Sequence, residues 1–464
     1  MRGTDTSPVE PARIQALNQI GLKKSGYVLY WMQQAQRAEE NPALEHAVFE
    51  ANRLQRPVLV VFGLSPAYPE ANRRHYAFLL EGLRETQSSL AARGIQLSVQ
   101  TGHPPDVAVG AANGAALLVC DRGYCRHQRQ WRQQVAEQAD CRVIQVEGEV
   151  VVPTGVVSDK QEYAARTIRP KIHRSVLDYL VAVPALDLEH PSFEMEQDSL
   201  DLAAGVELSE RFEGDPDVEP VSRFFSGGTS RAKQLFRDFL ENRFAAYSIN
   251  RNQPQTDDVS HMGMYLHFGQ VSPVWLALEV QHCEAGLSEQ KADFLEELIV
   301  RRELAVNFTE HAPDYDAYSC IPDWAAASLE KHRSDPRTCY SPEQLEAAET
   351  EDSYWNAAMN EMKISGYMHN YMRMYWGKQI LKWSADPRQA HTTILTLNNR
   401  YFLDGRDPNS YAGAAWIFGV HDRGWPERPV FGKVRSMTAS GLERKCDIQG
   451  YVRKVEQLRR QAES

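Results

Sequence analysis

The sequence predicts two domains of different class: an N-terminal α/β domain on a doubly wound, mostly parallel sheet, and a C-terminal all-α domain, joined by a long acidic connector. Three observations carry this. The chain has 464 residues, too many for one ordinary core. Its first part alternates short β-branched runs with amphipathic stretches long enough for crossover helices, and its later part keeps only helical periodicity. Between them, over 186–221, periodicity fails and acidic residues, Pro and Ser take over.

Strands are expected at 27–31, 57–62, 95–100, 116–120 and 142–146, with helices at 41–54 and 77–93 between them. No GxGxxG follows the first strand, so this sheet is not a standard dinucleotide site. The domains are placed at 1–185, 186–221 for the connector, and 222–464. In the last of these, helices are expected at 230–244, 274–284, 291–310, 341–349, 354–362, 368–384 and 387–398, before a turn-rich segment over 403–434.

The hydrophobic fraction of 42% and charged fraction of 24% are those of a folded protein. No apolar run approaches the roughly 20 residues that cross a bilayer. The start, Met1 to Arg13, is polar, so a cytoplasmic protein with no membrane partner is expected. A net charge of −11 argues on average against a polyanionic partner. The distribution is uneven, however: from Arg423 onward ten Lys/Arg stand against five Asp/Glu, so a local basic face remains. Seven cysteines are scattered without a CxxC pair, which points away from structural zinc and from a disulfide framework.

Trp355, Trp376 and Trp383 fall on two neighbouring helical patterns, the last two separated by two turns on one face. Taken alone they read first as core residues, and a chain of indoles would also serve as a relay for single electrons. Arg373 needs a carboxylate if buried, and Asp404 is a candidate; the Gly, Pro and Asn residues around Asp404 suit backbone shaped about a ligand.

Longer runs point further. They are His369-Asn370-Tyr371-Met372-Arg373-Met374-Tyr375-Trp376, the LDGRDPNSYAG segment from Leu403, FLEELIVRREL from Phe294, and Tyr30-Trp31-Met32-Gln33. Ala245-Ala246-Tyr247, Asn250-Arg251-Asn252 and YLHFGQVS from Tyr265 join them. In order and spacing, over about 26–452, the chain resembles the class II branch of the DNA photolyases, within the photolyase/cryptochrome family.

The resemblance implies FAD held folded in the helical domain. Photoexcited in its reduced form, it would give an electron to a cyclobutane pyrimidine dimer flipped out of UV-damaged DNA, making the protein a light-driven carbon–carbon lyase. By the family pattern Tyr247, Ser260, Gln270 and Ser272 line the phosphate and sugar side of FAD. Many relatives read Ser-Gly-Leu-Ser-Pro where this chain has Ser260-His261-Met262-Gly263-Met264, which removes one hydroxyl donor. Arg373 and Asp404 face the isoalloxazine, and Asn398 stands near its N5. Asp407 and Asn409 shape the ring pocket, Asn409 being the alternative at N5.

For the lesion, the family places an acid on the helix carrying Glu296 and Glu297. Helical neighbours point about 100° apart, so one of the two can face the pocket, and the family spacing favours Glu297. Trp416 and Met374 would wall the flipped bases, and Val300 stands where many photolyases carry a second tryptophan. Arg251, Asn252, Arg423, Trp425 and Arg435 match positions that touch the DNA backbone or fill the gap left by the dimer. Trp376, Trp355 and Trp383 match the electron relay, with Tyr340 its outermost donor. A second, antenna chromophore on the N-terminal sheet, a deazaflavin or a folate, stays open. A monomer is expected.

The rival is a cryptochrome-like blue-light photoreceptor without repair activity, which would share fold and FAD. Receptors often carry a long C-terminal extension, and Glu297, Met374 and Trp416 together favour repair. A dark flavin oxidoreductase would need a nicotinamide fingerprint, and none is found.

Overall fold

The computed structural model describes residues 6–195, 197–203 and 217–463. Among these, six strands form one sheet: β1 (Ile14–Ala16), β2 (Val28–Trp31), β3 (Val58–Leu64), β4 (Gln96–Thr101), β5 (Leu117–Asp121) and β6 (Arg142–Val146), in the order β1-β6-β5-β2-β3-β4. Every pairing is parallel except β1 with β6. All residues of β2, β3 and β5 are buried, as the unbroken Val and Leu runs of a sheet covered on both faces require.

The sheet grows from β2 toward β3 and β4 on one side and from β5 to β6 on the other, so the winding reverses beside β2. Crevices form at the carboxyl ends of strands at such a switch point. Asp121, ending β5, fixes the loop after β2 by accepting from the backbone N–H of Gln33 (2.7 Å), Gln34 (2.8 Å) and Ala35 (3.2 Å) and from the Tyr30 hydroxyl.

β1 has no counterpart among the expected strands. It is too short to show alternation, and it is held by its neighbour Arg13, which donates to the carbonyls of Glu147, Val150 and Val151. Of the expected connector, residue 196 and residues 204–216 lie outside the described residues. Ser192 and residues 198–200 run against β4, where Gln96 N donates to Ser192 Oγ (2.7 Å), Leu200 N to Val99 O (2.7 Å) and Val99 N to Ser199 Oγ (3.0 Å). An otherwise bare sheet edge is covered in this way.

Among the described residues, the elements after Phe225 are helices. Two departures from the sequence expectation matter for the site. The helix expected over 291–310 is broken by a π-helical turn, Glu296–Arg301, between Ser288–Leu295 and Arg302–His311. Such turns insert a residue and re-aim side chains. The turn-rich segment contains a helix, Pro408–Ile417. Asp407 caps it by accepting from Asn409 N, and Pro408 sits where no donor is needed.

The two parts meet through buried polar groups. Arg37 and Glu149 pair at 2.8 Å, and Arg37 also donates to Gly269 O. Glu303 accepts from Val151 N (2.7 Å) and Val152 N (3.2 Å), while burial pushes its carboxyl up to about 8. At the start of the Arg73–Ala92 helix, Asn72 donates to Arg400 O (2.7 Å). Arg74 donates to Tyr401 O (2.7 Å), Met362 O (3.2 Å), Lys363 O (2.6 Å) and Glu219 O (3.0 Å). Arg74→Ala should cost about 3 kcal/mol or more, because it strands several buried acceptors at once. Urea unfolding checks this, and an unchanged midpoint contradicts it.

Candidate functional site

Asp404 leaves the Pro387–Tyr401 helix just past those captured carbonyls. Its Oδ1 stands 3.0 Å from Arg373 Nη1, on the Asn370–Trp383 helix. Arg373 Nε donates to Met368 O (3.0 Å), and its guanidinium lies 4.0 Å from the centroid of the Phe402 ring. The Gly263–His267 helix begins against the other side, where a Cβ on Gly263 would stand 2.8 Å from Asp404 Oδ2. The cation and carboxylate expected to pair are therefore paired, clamped between an aromatic ring and a bare glycine.

A line of aromatic rings ends at the same place. Tyr340, partly exposed, meets Trp383 at 5.2 Å between centroids, and Trp383 meets Trp355 at 5.5 Å, both edge-on. Trp355 Nε1 donates to Trp376 O (2.9 Å), and Trp376, 2% exposed, lies 6.3 Å from Phe402. Phe402 thus touches both Arg373 and Trp376. It belongs to none of the motifs singled out in the sequence, where it shows only as an apolar residue before Leu403.

The amides nearby are bonded within the chain. Asn398 Nδ2 donates to Asn399 Oδ1 (2.9 Å), while Asn409 donates through its backbone and side chain to Asp407, whose other oxygen lies 3.3 Å from His267 Nδ1. Ser260 Oγ accepts from Met262 N (3.4 Å), and Tyr247 is buried among Phe239, Phe244 and Phe294.

Gln270 and Ser272 are engaged within the chain. Gln270, 0% exposed, accepts from Gly228 N (2.7 Å) and donates to Phe78 O (3.3 Å), while Ser272 caps the Pro273–His282 helix by accepting from Trp275 N. These bonds brace the fold around them.

The π turn separates the two neighbouring acids. Glu296 is held by Arg169 (2.9 and 2.7 Å) and Arg301 (3.1 Å); burial alone would raise its carboxyl, but these guanidiniums keep it below the usual range. Glu297 is exposed and meets Arg251 Nη1 at 3.1 Å. Trp416 and Met374 are partly buried. Val300 is buried, and it is Arg301 that lies over the Trp416 ring, at 5.8 Å.

Farther out, Trp425 has Arg423 at 5.3 Å and Arg435 at 4.4 Å from its ring, and Asp422 holds Arg435 Nε at 3.1 Å. Arg423 and Asn252 are exposed, and Arg251 is partly so.

A family model described as DNA photolyase matches residues 28–189. A deoxyribodipyrimidine photo-lyase of Methanothermobacter thermautotrophicus is 47% identical over 439 residues, 94% of this chain and 96% of that protein. The chain belongs to the DNA photolyase family. It is therefore an enzyme of DNA repair, a lyase and a flavoprotein. Two solved structures share the fold. A bacterial class III photolyase from Agrobacterium tumefaciens has a TM-score of 0.73 at 18% identity, covering 94% of this chain and 87% of that one. A Synechocystis cryptochrome has 0.70 at 16%, covering 92% and 88%.

The photolyase site fits the FAD that the family implies. Trp376 Nε1 and His369 Nε2 are buried yet have no hydrogen-bond partner among the described residues, so polar groups near the Arg373–Asp404 pair are left open to a ligand. Among the described residues no helix is long and apolar enough to cross a membrane. Gly263→Ala would set a methyl against Asp404 and disturb the pair. Retention of FAD should weaken about tenfold, or ~1.4 kcal/mol. Flavin release on dilution measures it, and unchanged retention would remove this face from the flavin site.

Proposed function

We propose that this photolyase splits cyclobutane pyrimidine dimers in UV-damaged DNA under blue or near-ultraviolet light, as a class II enzyme. The observation that carries the proposal is the aromatic line Tyr340–Trp383–Trp355, joined through the Trp355 indole N–H to the Trp376 carbonyl, with Trp376 against Phe402 beside the Arg373–Asp404 pair. A relay is useful only where single electrons are delivered to a buried acceptor. Reduced FAD, when bound, supplies on illumination the electron that opens the cyclobutane ring, and the electron returns once the bases are restored.

The chain supplies placement. Arg373 offers a fixed positive charge to the isoalloxazine, and Asp404 keeps that charge oriented; Asn398, with Asp407 and Asn409 behind it, offers the amide nearest N5. Ser260 and Tyr247 are left for the phosphate and sugar side. Trp416 and Met374 form the apolar wall for the flipped bases, where stacking on an aromatic contributes about 1–3 kcal/mol per base. Glu296 is fully engaged by two arginines, which leaves Glu297 as the acid for the thymine carbonyls. Arg251 holds it now, and a DNA phosphate that drew Arg251 outward would free it. Arg423, Trp425, Arg435 and Asn252 face the duplex, with Trp425 as the wedge that offsets unstacking.

A second chromophore has a place as well. At the sheet's switch point a cavity is lined by Trp31, Phe62, Tyr68 and Trp131, together with the buried guanidiniums of Arg132 and Arg406. Aromatic walls with buried cations suit a planar ligand bearing anionic groups, which both a deazaflavin and a folate satisfy.

The test uses FAD-loaded protein, photoreduced without oxygen and mixed in the dark with a thymine-dimer oligonucleotide. Illumination should restore the ultraviolet absorbance of intact bases, and Glu297→Gln should slow this by about 10- to 100-fold, the scale of losing one transition-state hydrogen bond. A protein that photoreduces yet restores nothing would favour the photoreceptor.

A further inference from the structure

Lys378 has no part in the chemistry above, yet it is 1% exposed and lies two residues past Trp376 on the same helix. Its Nζ donates to the carbonyl of Ile417, the last residue of the Pro408–Ile417 helix. The approach depends on Gly377, where a Cβ would overlap the Ile417 side chain. A cation is favoured at a helix C-terminus, where the helix dipole is negative.

The segment that follows joins two surfaces already assigned to DNA. Trp416 precedes Ile417. Beyond it Asp422 accepts from Arg423 N (2.8 Å) and Trp425 Nε1 (3.3 Å) and pairs with Arg435 Nε (3.1 Å). Tyr163, from the N-terminal part, holds the segment from outside: its hydroxyl donates to Asp422 O (2.8 Å), and its carbonyl meets His421 Nδ1 at 2.9 Å. The amine is the charge beneath this strap.

We propose that Lys378 is a positioning residue for damaged DNA, whose ammonium charge keeps the Trp416 wall and the Arg423–Trp425–Arg435 cluster in register, so that DNA binding takes up a proton at this amine. The proposal rests on the reading that these two surfaces face DNA.

The electrostatics support it. Burial lowers the Lys378 amine to about 7, with Asp422 pulling it up and Arg435 pushing it down. His421, another titratable group of the strap, is pushed below the usual imidazole value by burial. A phosphate brought against Arg435 cancels part of that cation's push, so the amine is more basic in the complex than in the free protein. The sign follows: binding is strongest below the free value and weakens as pH rises through the bound one.

The test measures dark affinity of the FAD-loaded protein for a dimer-containing duplex from about pH 6 to 8.5, with flavin photoreduction as the control for folding. Wild-type affinity should fall about tenfold over this range, the effect of one shifted proton per pKa unit. Lys378→Met should be weak and flat, and Lys378→Arg, which cannot lose its charge, tight and flat. Should Lys378→Met not fold, Lys378→Arg and the proton uptake of the wild type, read from binding heats in buffers of different ionisation enthalpy, still decide. A flat wild-type profile, or a wild-type slope in either variant, overturns the proposal. A wild type that binds undamaged and damaged duplex equally weakly at every pH overturns the DNA reading beneath it.

Discussion

The carbonyls of Arg400, Tyr401 and Phe402 end one helix and are taken up by the start of another, through Asn72, Arg74 and His75. A buried helix C-terminus must find donors for its last acceptors. Here they come from residues more than three hundred positions earlier, and the two helix ends meet with opposite dipoles. His75 suits the task because burial drives its pKa well down: the neutral ring accepts from Asn72 N on one nitrogen and donates to Phe402 O from the other. Phe402 and Asp404 are held by this joint. Phe402 then carries Arg373 on its ring and Trp376 at its edge, so the sheet part sets the geometry of a site in the helical part.

The same economy governs charge. The net charge of −11 says little about the faces that matter. Arg251, Arg423 and Arg435 are each held by one carboxylate, from Glu297 or Asp422, or stacked on Trp425, and remain at least partly exposed. Exposed pairs of this kind contribute about 0–1 kcal/mol and are easily exchanged for phosphate. Buried cations behave differently: Arg74 is committed to carbonyls and Arg37 to Glu149, and neither is available to a ligand.

Much of this was legible in the sequence where one residue type forces one environment. The Val and Leu runs of β3 and β5 leave little choice but a sheet covered on both faces, and Arg373 in an apolar helix called for a carboxylate that Asp404 supplies. What was not legible depends on partners remote in sequence. Glu296 and Glu297 look alike until Arg169, 127 residues away, takes one of them. The π turn hides because EELIVRREL has ordinary helical periodicity, and it moves Arg301, not Val300, onto Trp416. Gln270 sits at the centre of a joint that no local pattern reveals, whereas Ser272 followed by Pro273 is a helix start that capping preferences alone could have identified. The helix from Pro408 was missed for the opposite reason, since Asp, Pro and Asn serve turns and helix starts equally.

Trp355→Phe isolates the aromatic line proposed to feed the Arg373–Asp404 site. Photoreduction of bound flavin by blue light with an external donor, followed by its visible absorbance, is the measurement. The account requires that Trp355→Phe photoreduce at least about tenfold more slowly than wild type, since losing the middle ring of the line interrupts electron transfer, a loss worth ~1.4 kcal/mol or more in barrier. After chemical reduction the same variant should repair dimers at the wild-type rate. Undiminished photoreduction would contradict the relay, and lost repair after chemical reduction would show that Trp355 serves the site and not the path to it.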